Sequence, residues 1–303
     1  MEQRSGYAAI IGKPNVGKST LLNSILGEKL SITTNKPQTT RKRIMGILST
    51  EDYQVIFLDT PGILHPEYLL QEKMLGYVER SVNDADLLVI IVDISSDPDA
   101  SKTLGDATVK KILETSTKKK ILLINKVDLS DEVRVKELIS KLEGLKHFDD
   151  IIPVSALLRY NVESVLDAVL RYMPLHPKFY PDDRLSDETE RFFVSEIIRE
   201  KIFEMYQEEI PYSCEVLIED FREREGRKDL ITASIIVEKE SQKPILIGKQ
   251  GNTIKQLGQN ARKDIESFLQ RPVFLELRVK VREKWRSDKN LLRSFGYTRD
   301  EED

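Results

Sequence analysis

The stretch Gly12-Lys13-Pro14-Asn15-Val16-Gly17-Lys18-Ser19 spaces two glycines by four residues and follows them with a lysine and a hydroxyl. That is the phosphate-loop pattern GxxxxGK[ST]. Its glycines let backbone N–H groups curl around an anion with no Cβ in the way. Lys18 is placed to bridge the β- and γ-phosphates, and Ser19, backed by Thr20, to give a hydroxyl ligand to Mg²⁺. Asp59-Thr60-Pro61-Gly62 adds a carboxylate that can reach Mg²⁺ directly or through water, and a glycine N–H for the γ-phosphate. Asn125-Lys126-Val127-Asp128 selects a base: the Asp128 carboxylate accepts two hydrogen bonds from guanine and finds no such donors on adenine. Unpaired polar groups in a built site discriminate by ~10⁴. Lys126 can lay its stem on the ring, and Ser155-Ala156-Leu157 can turn a backbone N–H toward the guanine oxygen.

Each of these pieces needs an element to hold it. Short apolar runs predict strands at Ala8–Ile11, Lys42–Leu48, Gln54–Leu58, Leu87–Val92, Ile121–Ile124 and Ile151–Val154. Helical periods lie between most of them, such as Leu21, Leu22, Ile25 and Leu26, and the segment Val162–Tyr172 closes the set. The alternation predicts an α/β unit with a mostly parallel six-stranded sheet and helices on both faces. Only STEDY separates the second and third runs, so that pair is expected to be antiparallel. The phosphate loop follows its strand and opens a helix whose N-terminus adds a favourable dipole for anions. In this order the motifs resemble a Ras-type GTPase domain over residues 7–173. The segment LSITTNKPQTTR then stands where the first switch loop belongs. Thr39 and Thr40 are both available to Mg²⁺, and Thr40, beside the strand, is preferred. Lys18, Thr40 and Gly62 become the expected catalytic set.

Bulk properties exclude other classes. The 303 residues suggest two domains, and 40% apolar residues suffice for two cores. A single cysteine, Cys214, and three scattered histidines, His65, His147 and His176, give neither an internal disulfide nor metal-ligand spacing. The net charge of −4 requires any basic surface to be local. The start lacks a signal-peptide layout and Leu87–Val92 is too short to span a bilayer, so a cytosolic protein is expected, and a monomer because no apolar stripe is left unassigned.

MPLHPKFYPDD places three prolines in eleven residues. Prolines lack the N–H that helices and inner strands use. The division is therefore a nucleotide domain over 1–175, a linker over 176–186, and a second domain over 187–303 ending in a basic tail. The second domain reads as a helix near Glu188–Gln207, strands Cys214–Phe221 and Leu230–Val237, a short helix near Gln242–Leu246, the loop Gly248-Lys249-Gln250-Gly251, a helix over 253–268 and a strand Val273–Val281. In that last strand Val273, Leu275, Leu277, Val279 and Val281 share one face, expected to be core. The other face carries Arg278, Lys280 and Arg282, and Lys284 and Arg286 follow. Trp285 can stack on a base or cap the core. The ending RDEED reads as a frayed tail.

The element order around GKQG resembles a type II KH domain, whose glycine loop clamps a single-stranded nucleic-acid backbone. The resemblance gives RNA contacts to Ile247, Gly248, Lys249, Gln250, Gly251 and Lys255. The basic residues Arg278, Lys280, Arg282, Lys284 and Arg286 are expected to add to them. GKPNVGKST, PQTTR, DTPG, NKVD and SAL, followed by GKQG, together resemble the Era family of bacterial GTPases over nearly the whole chain. What the resemblance implies is a GTP-hydrolysing switch with Mg²⁺ that binds the 3′ end of 16S rRNA, acts in 30S subunit assembly and contacts the membrane peripherally. A signalling or cell-cycle GTPase whose second domain binds protein or membrane is the alternative. Ile63 stands where many GTPases carry a water-orienting glutamine, so slow intrinsic turnover is expected. With Ile63, Asn15 resembles the asparagine of potassium-activated GTPases, where K⁺ supplies charge at the phosphates.

Overall fold

The computed structural model describes residues 3–297, and the acidic ending expected to fray lies outside them. The elements run β1 (Arg4–Gly12), α1 (Lys18–Leu26), β2 (Ile44–Ser49), β3 (Tyr53–Asp59), α2 (Leu69–Asp84), β4 (Leu87–Asp93), α3 (Ser101–Leu104), α4 (Ala107–Thr115), β5 (Lys119–Asn125), α5 (Glu132–Glu143), β6 (Asp150–Val154) and α6 (Val162–Tyr172). Then follow α7 (Glu190–Met205), α8 (Ile210–Ser213), β7 (Glu215–Arg222), β8 (Asp229–Val237), α9 (Gln242–Ile247), α10 (Asn252–Leu269), β9 (Val273–Val281) and α11 (Lys289–Ser294). Contacts divide the chain into one unit of 1–65 with 74–187, and another of 66–73 with 188–303.

The first unit holds a six-stranded sheet in the order β2-β3-β1-β4-β5-β6. Only β2 is antiparallel, to β3, as its three-residue connection, Thr50 to Asp52, demands. Alternate residues of β1 feed two cores. Ala8 and Ile10 pack with Leu21, Leu22 and Val165, while Ala9 and Ile11 pack with Val78, Val109 and Leu138. Both faces are covered, which is why β4 is apolar from Leu87 to Val92 and buried at every position, Asp93 included. The parallel strands β1, β4 and β5 therefore end at one edge, where Gly12, Asp93 and Asn125 leave the sheet.

The proline-rich segment after α6 is laid onto this unit rather than strung free. Gln54, fully buried on β3, accepts the N–H groups of Phe179 and Tyr180 at 2.8 and 3.0 Å and donates to Tyr180 O at 2.9 Å. The Ile47 N–H reaches Leu185 O at 2.8 Å, and the Ser186 hydroxyl reaches Met45 O at 2.7 Å. Those bonds occupy the outer edge of β2, which otherwise has a sheet partner on only one side.

The second unit holds a three-stranded sheet, β7-β8-β9, with β8 antiparallel to β7 and parallel to β9. One core joins Val194 and Ile198 of α7 to Ile231 and Ile235 of β8 and to Leu257 and Ala261 of α10. Trp285 is fully buried and its indole N–H donates to Ser213 O at 2.8 Å. It caps the core, and the base-stacking alternative is excluded.

Candidate functional site

The phosphate loop bends through left-handed backbone at Asn15 (φ 62°) and Gly17 (φ 101°) before α1 begins. A side chain at Gly17 would place its Cβ 2.3 Å from the Asn125 amide nitrogen, so glycine is required for space as well as for φ. Asn125 ties three segments together: its amide donates to Val16 O at 2.7 Å and its carbonyl accepts the Ala156 N–H at 3.0 Å. The DTPG segment joins through the Ile63 N–H, which donates to Gly12 O at 3.0 Å. A cleft of about 430 Å³ opens above them, lined by the phosphate loop, residues of the 32–40 loop, Gly62, Lys126, Asp128 and Ser155–Leu157. Asp128 and Leu157 stand exposed at its mouth.

Polar groups at the floor are arranged for ions. The buried Lys18 ammonium folds onto Gly12 O at 3.2 Å and Lys13 O at 2.8 Å. Burial pushes it down to about 8, with the nearby Asp59 carboxylate pulling the other way. The Ser19 hydroxyl sits 2.7 Å from Asp59 Oδ2 and 2.9 Å from Thr40 Oγ1. Burial raises the Asp59 carboxyl above its ordinary range, against the Ser19 hydroxyl and Lys18, and its Oδ1 has no hydrogen-bond partner. A buried carboxylate with an orphaned oxygen beside two hydroxyls is an oxygen donor set that fits a small hard cation such as Mg²⁺. Thr39 is turned away, its hydroxyl bonded to Lys36 O at 2.7 Å, so only Thr40 of the pair faces this cluster.

Not every motif side chain joins the cleft. Thr60 donates to Ile10 O at 2.7 Å and is fully buried, and Val16 packs into the core. Lys13 lies 3.8 Å from Asp106, the residue that caps α4. Ile63 is buried in the core and contributes nothing to the cleft. Asn15 donates to Asn35 O at 2.9 Å, tying the phosphate loop to the 32–40 loop. A partner of Lys126 escaped sequence reasoning altogether: Asp93, 2.8 Å from its ammonium.

In the second unit GKQG turns through positive φ at Gly248 (72°), Gln250 (52°) and Gly251 (75°) and leads straight into α10. A Cβ at Gly248 would fall 1.9 Å from Thr253 Oγ1. Lys249, Gln250 and Lys255 are exposed at this helix start. Beside it, the face of β9 expected to be core does pack against the core of this unit. Val273 is buried, but Leu275, Leu277, Val279 and Val281 are half-buried, because β9 is an edge strand that α9 and α10 cover only in part. That leaves an apolar strip next to a cationic, glycine-bent loop. The basic residues do not converge on it. Arg278 pairs with Glu276 and Lys280 with Glu219 on the opposite face, and Arg286 pairs with Glu238. Arg282 and Lys284 are exposed beyond the strand.

Known proteins share both units. The family described as 50S ribosome-binding GTPase matches residues 7–126, and the KH domain family matches 209–286. A GTPase Era of Caldanaerobacter subterraneus subsp. tengcongensis is 45% identical over 301 residues, spanning 99% of this chain and 100% of that protein. A chloroplastic GTPase ERA1 of Zea mays is 45% identical over 299 residues, spanning 97% of this chain and 70% of the relative. A crystal structure of Era in complex with MgGDPNP and nucleotides 1506-1542 of 16S ribosomal RNA superposes with a TM-score of 0.91 at 36% identity, over 98% of this chain and 100% of that one. With full-length identity of this order and both units matched, the chain belongs to the Era family of GTPases.

Proposed function

We propose that this protein is a GTP-hydrolysing switch whose KH unit binds the single-stranded 3′ end of 16S rRNA during assembly of the 30S subunit. The observation that carries the nucleotide half is the Asp59–Ser19–Thr40 cluster beside Lys18, beneath a cleft that Asp128 also lines. Gly12 to Thr20 cradle the phosphates through their backbone, and Lys18 leaves its carbonyl partners for the β- and γ-oxygens. Ser19, Thr40 and Asp59 hold Mg²⁺, which neutralises charge on the β- and γ-phosphates. The Asp59–Gly62 segment, anchored by Thr60, brings the Gly62 N–H to the γ-phosphate. Asp128 reads the guanine, Lys126 covers it, and the Ser155–Leu157 loop closes the oxygen side.

Ile63 is packed into the core, so no side chain there orients water, and turnover is slow without help. Asn15 already reaches Asn35 O. The Asn15 amide oxygen, with carbonyls of the loop, would hold K⁺, which would supply positive charge near the phosphates. Hydrolysis is expected to run faster in KCl than in NaCl, and equal rates would remove K⁺ from the scheme.

The RNA half rests on the family, on the relative crystallised with 16S rRNA, and on the loop geometry. Ile247 to Gly251 and Lys255 meet the sugar-phosphate backbone, and the half-buried strip of β9 offers apolar surface to bases. Arg278, Lys280, Arg282, Lys284 and Arg286 contribute a peripheral field rather than a grip. Cytosolic location and a monomeric state complete the reading and rest on the sequence, and peripheral membrane contact rests on the family resemblance alone.

The test is fluorescence anisotropy with an oligonucleotide copying the rRNA 3′ end, at stated salt, with GDP and with a non-hydrolysable GTP analogue. Tighter binding with the analogue supports a GTP-gated RNA switch. Equal binding separates the two functions, and absence of specific binding in both states overturns the RNA reading.

A further inference from the structure

Strand β4 ends at Asp93, which pairs with Asn125 across the sheet. The Asp93 side chain is buried at the margin of the base end of the cleft. Its Oδ1 accepts the Ser95 N–H at 2.9 Å and the Ser95 hydroxyl at 2.6 Å. Its Oδ2 accepts the Ser96 hydroxyl at 2.9 Å and the Lys126 ammonium at 2.8 Å. Burial would raise this carboxyl, but the ammonium and the two serines hold it below its ordinary value.

Lys126 is thereby fixed at both ends. Its backbone, at φ 63°, follows Asn125, whose amide is bonded to Val16 and Ala156. Its ammonium is fixed by Asp93. Between the two anchors runs a stem of four methylenes that lines the cleft. A lysine held only by its backbone samples many rotamers, and a ligand that must order it binds more weakly.

We propose that Asp93 is a positioning residue for nucleotide binding: its carboxylate tethers Lys126 so that the lysine stem is ordered as a cover for the purine before the nucleotide arrives. The assignment rests on the guanine reading of the cleft. It also gives β4 a part in base binding that neither NKVD nor the phosphate loop carries.

A plain turn-capping role makes a different forecast, because Asp93 also caps Ser95. Asp93→Asn keeps the shape and the Oδ1 acceptor but loses the charge. Lys126→Met keeps the stem and loses the ammonium. The experiment is equilibrium binding of a fluorescent GDP, with Mg²⁺, to the full chain carrying each variant and both together. Thermal unfolding without nucleotide checks that each variant folds. Asp93→Asn is expected to weaken GDP roughly three- to tenfold, the cost of ordering one rotamer-rich side chain on binding. In the Lys126→Met background the same change is expected to have almost no further effect. No loss in Asp93→Asn, or an equal loss in both backgrounds, overturns the proposal.

Asp128→Asn, measured alongside, separates the two readings. It is expected to move preference from guanine to xanthine, since the amide can donate to the extra carbonyl of xanthine. Failure of that exchange overturns the guanine reading and the Asp93 role with it. A clean exchange beside an additive cycle overturns the Asp93 role alone.

Discussion

Gly17 illustrates how little room the nucleotide site leaves a single residue. Its φ of 101° is costly for any L side chain, and its Cβ position is taken by the Asn125 amide. Gly17→Ala therefore strains the loop and displaces the amide that ties Val16 to the Ser155–Leu157 loop. GDP affinity is expected to fall more than about tenfold, the equivalent of roughly 1.4 kcal/mol, when measured by fluorescent-nucleotide titration. Unchanged affinity would show that the loop reaches its phosphate-binding shape without these contacts. The glycine, the lysine, the serine and NKVD were all legible in the sequence, because each is a local run with its chemistry in its own side chains. Asp93 was not, since its partner lies 33 residues away and becomes a neighbour only when β4 and β5 pair. Thr40 was preferred over Thr39 only for its place beside the strand. The choice depends on which hydroxyl the chain turns toward Ser19.

At the scale of elements, the strand and helix pattern was readable almost throughout, since apolar runs of strand length alternate with helical periods. The connecting segment was less so. Three prolines announce an absence of regular structure but not what the segment lies on. Buried Gln54 makes that decision, with two N–H groups and one carbonyl of residues 179 and 180 bonded to one amide. Gln54→Ala strands those groups and is expected to cost about 1–3 kcal/mol of stability, read from denaturant unfolding of the full chain. A loss below about 0.5 kcal/mol, the usual range for a surface change, would mean the segment is not held there. The apolar face of β9 packs on the core as its alternation predicts, but is only half-buried past Val273 for a related reason. Alternation assigns residues to faces, but sheet order decides that β9 is an edge and only partly covered.

For the molecule as a whole, the charge count hides how the charges are spent. Arg271 joins Asp229 at 2.6 Å to Glu190 at 2.5 Å, linking the starts of β8, α7 and β9. Burial would raise Asp229, but the Arg224 N–H and the Arg271 guanidinium hold it low. Glu219 is held low by Lys280 and then by Ser234. A carboxyl depressed in the folded state stabilises it above the unfolded pKa, and that contribution is lost as pH falls through the folded value. The contribution of these pairs to the thermal midpoint is therefore expected to be constant above about pH 5 and to be lost as pH falls below about 4, near the unfolded carboxylate range. Arg271→Ala should make that acid limb shallower, and an unchanged limb would show the pairs to be energetically idle. The reagents are written along the chain, as a phosphate loop, a cation-binding acid and hydroxyl, a base-reading motif and a glycine-lysine loop, because each is a short local run whose chemistry lies in its own side chains and backbone. Their company is set by folding. It put Asp93 on Lys126, Thr40 on Ser19, Gln54 on the linker, and Arg278 and Lys280 on carboxylates rather than beside GKQG, because long-range strand pairing and burial, not sequence neighbourhood, set which polar groups meet.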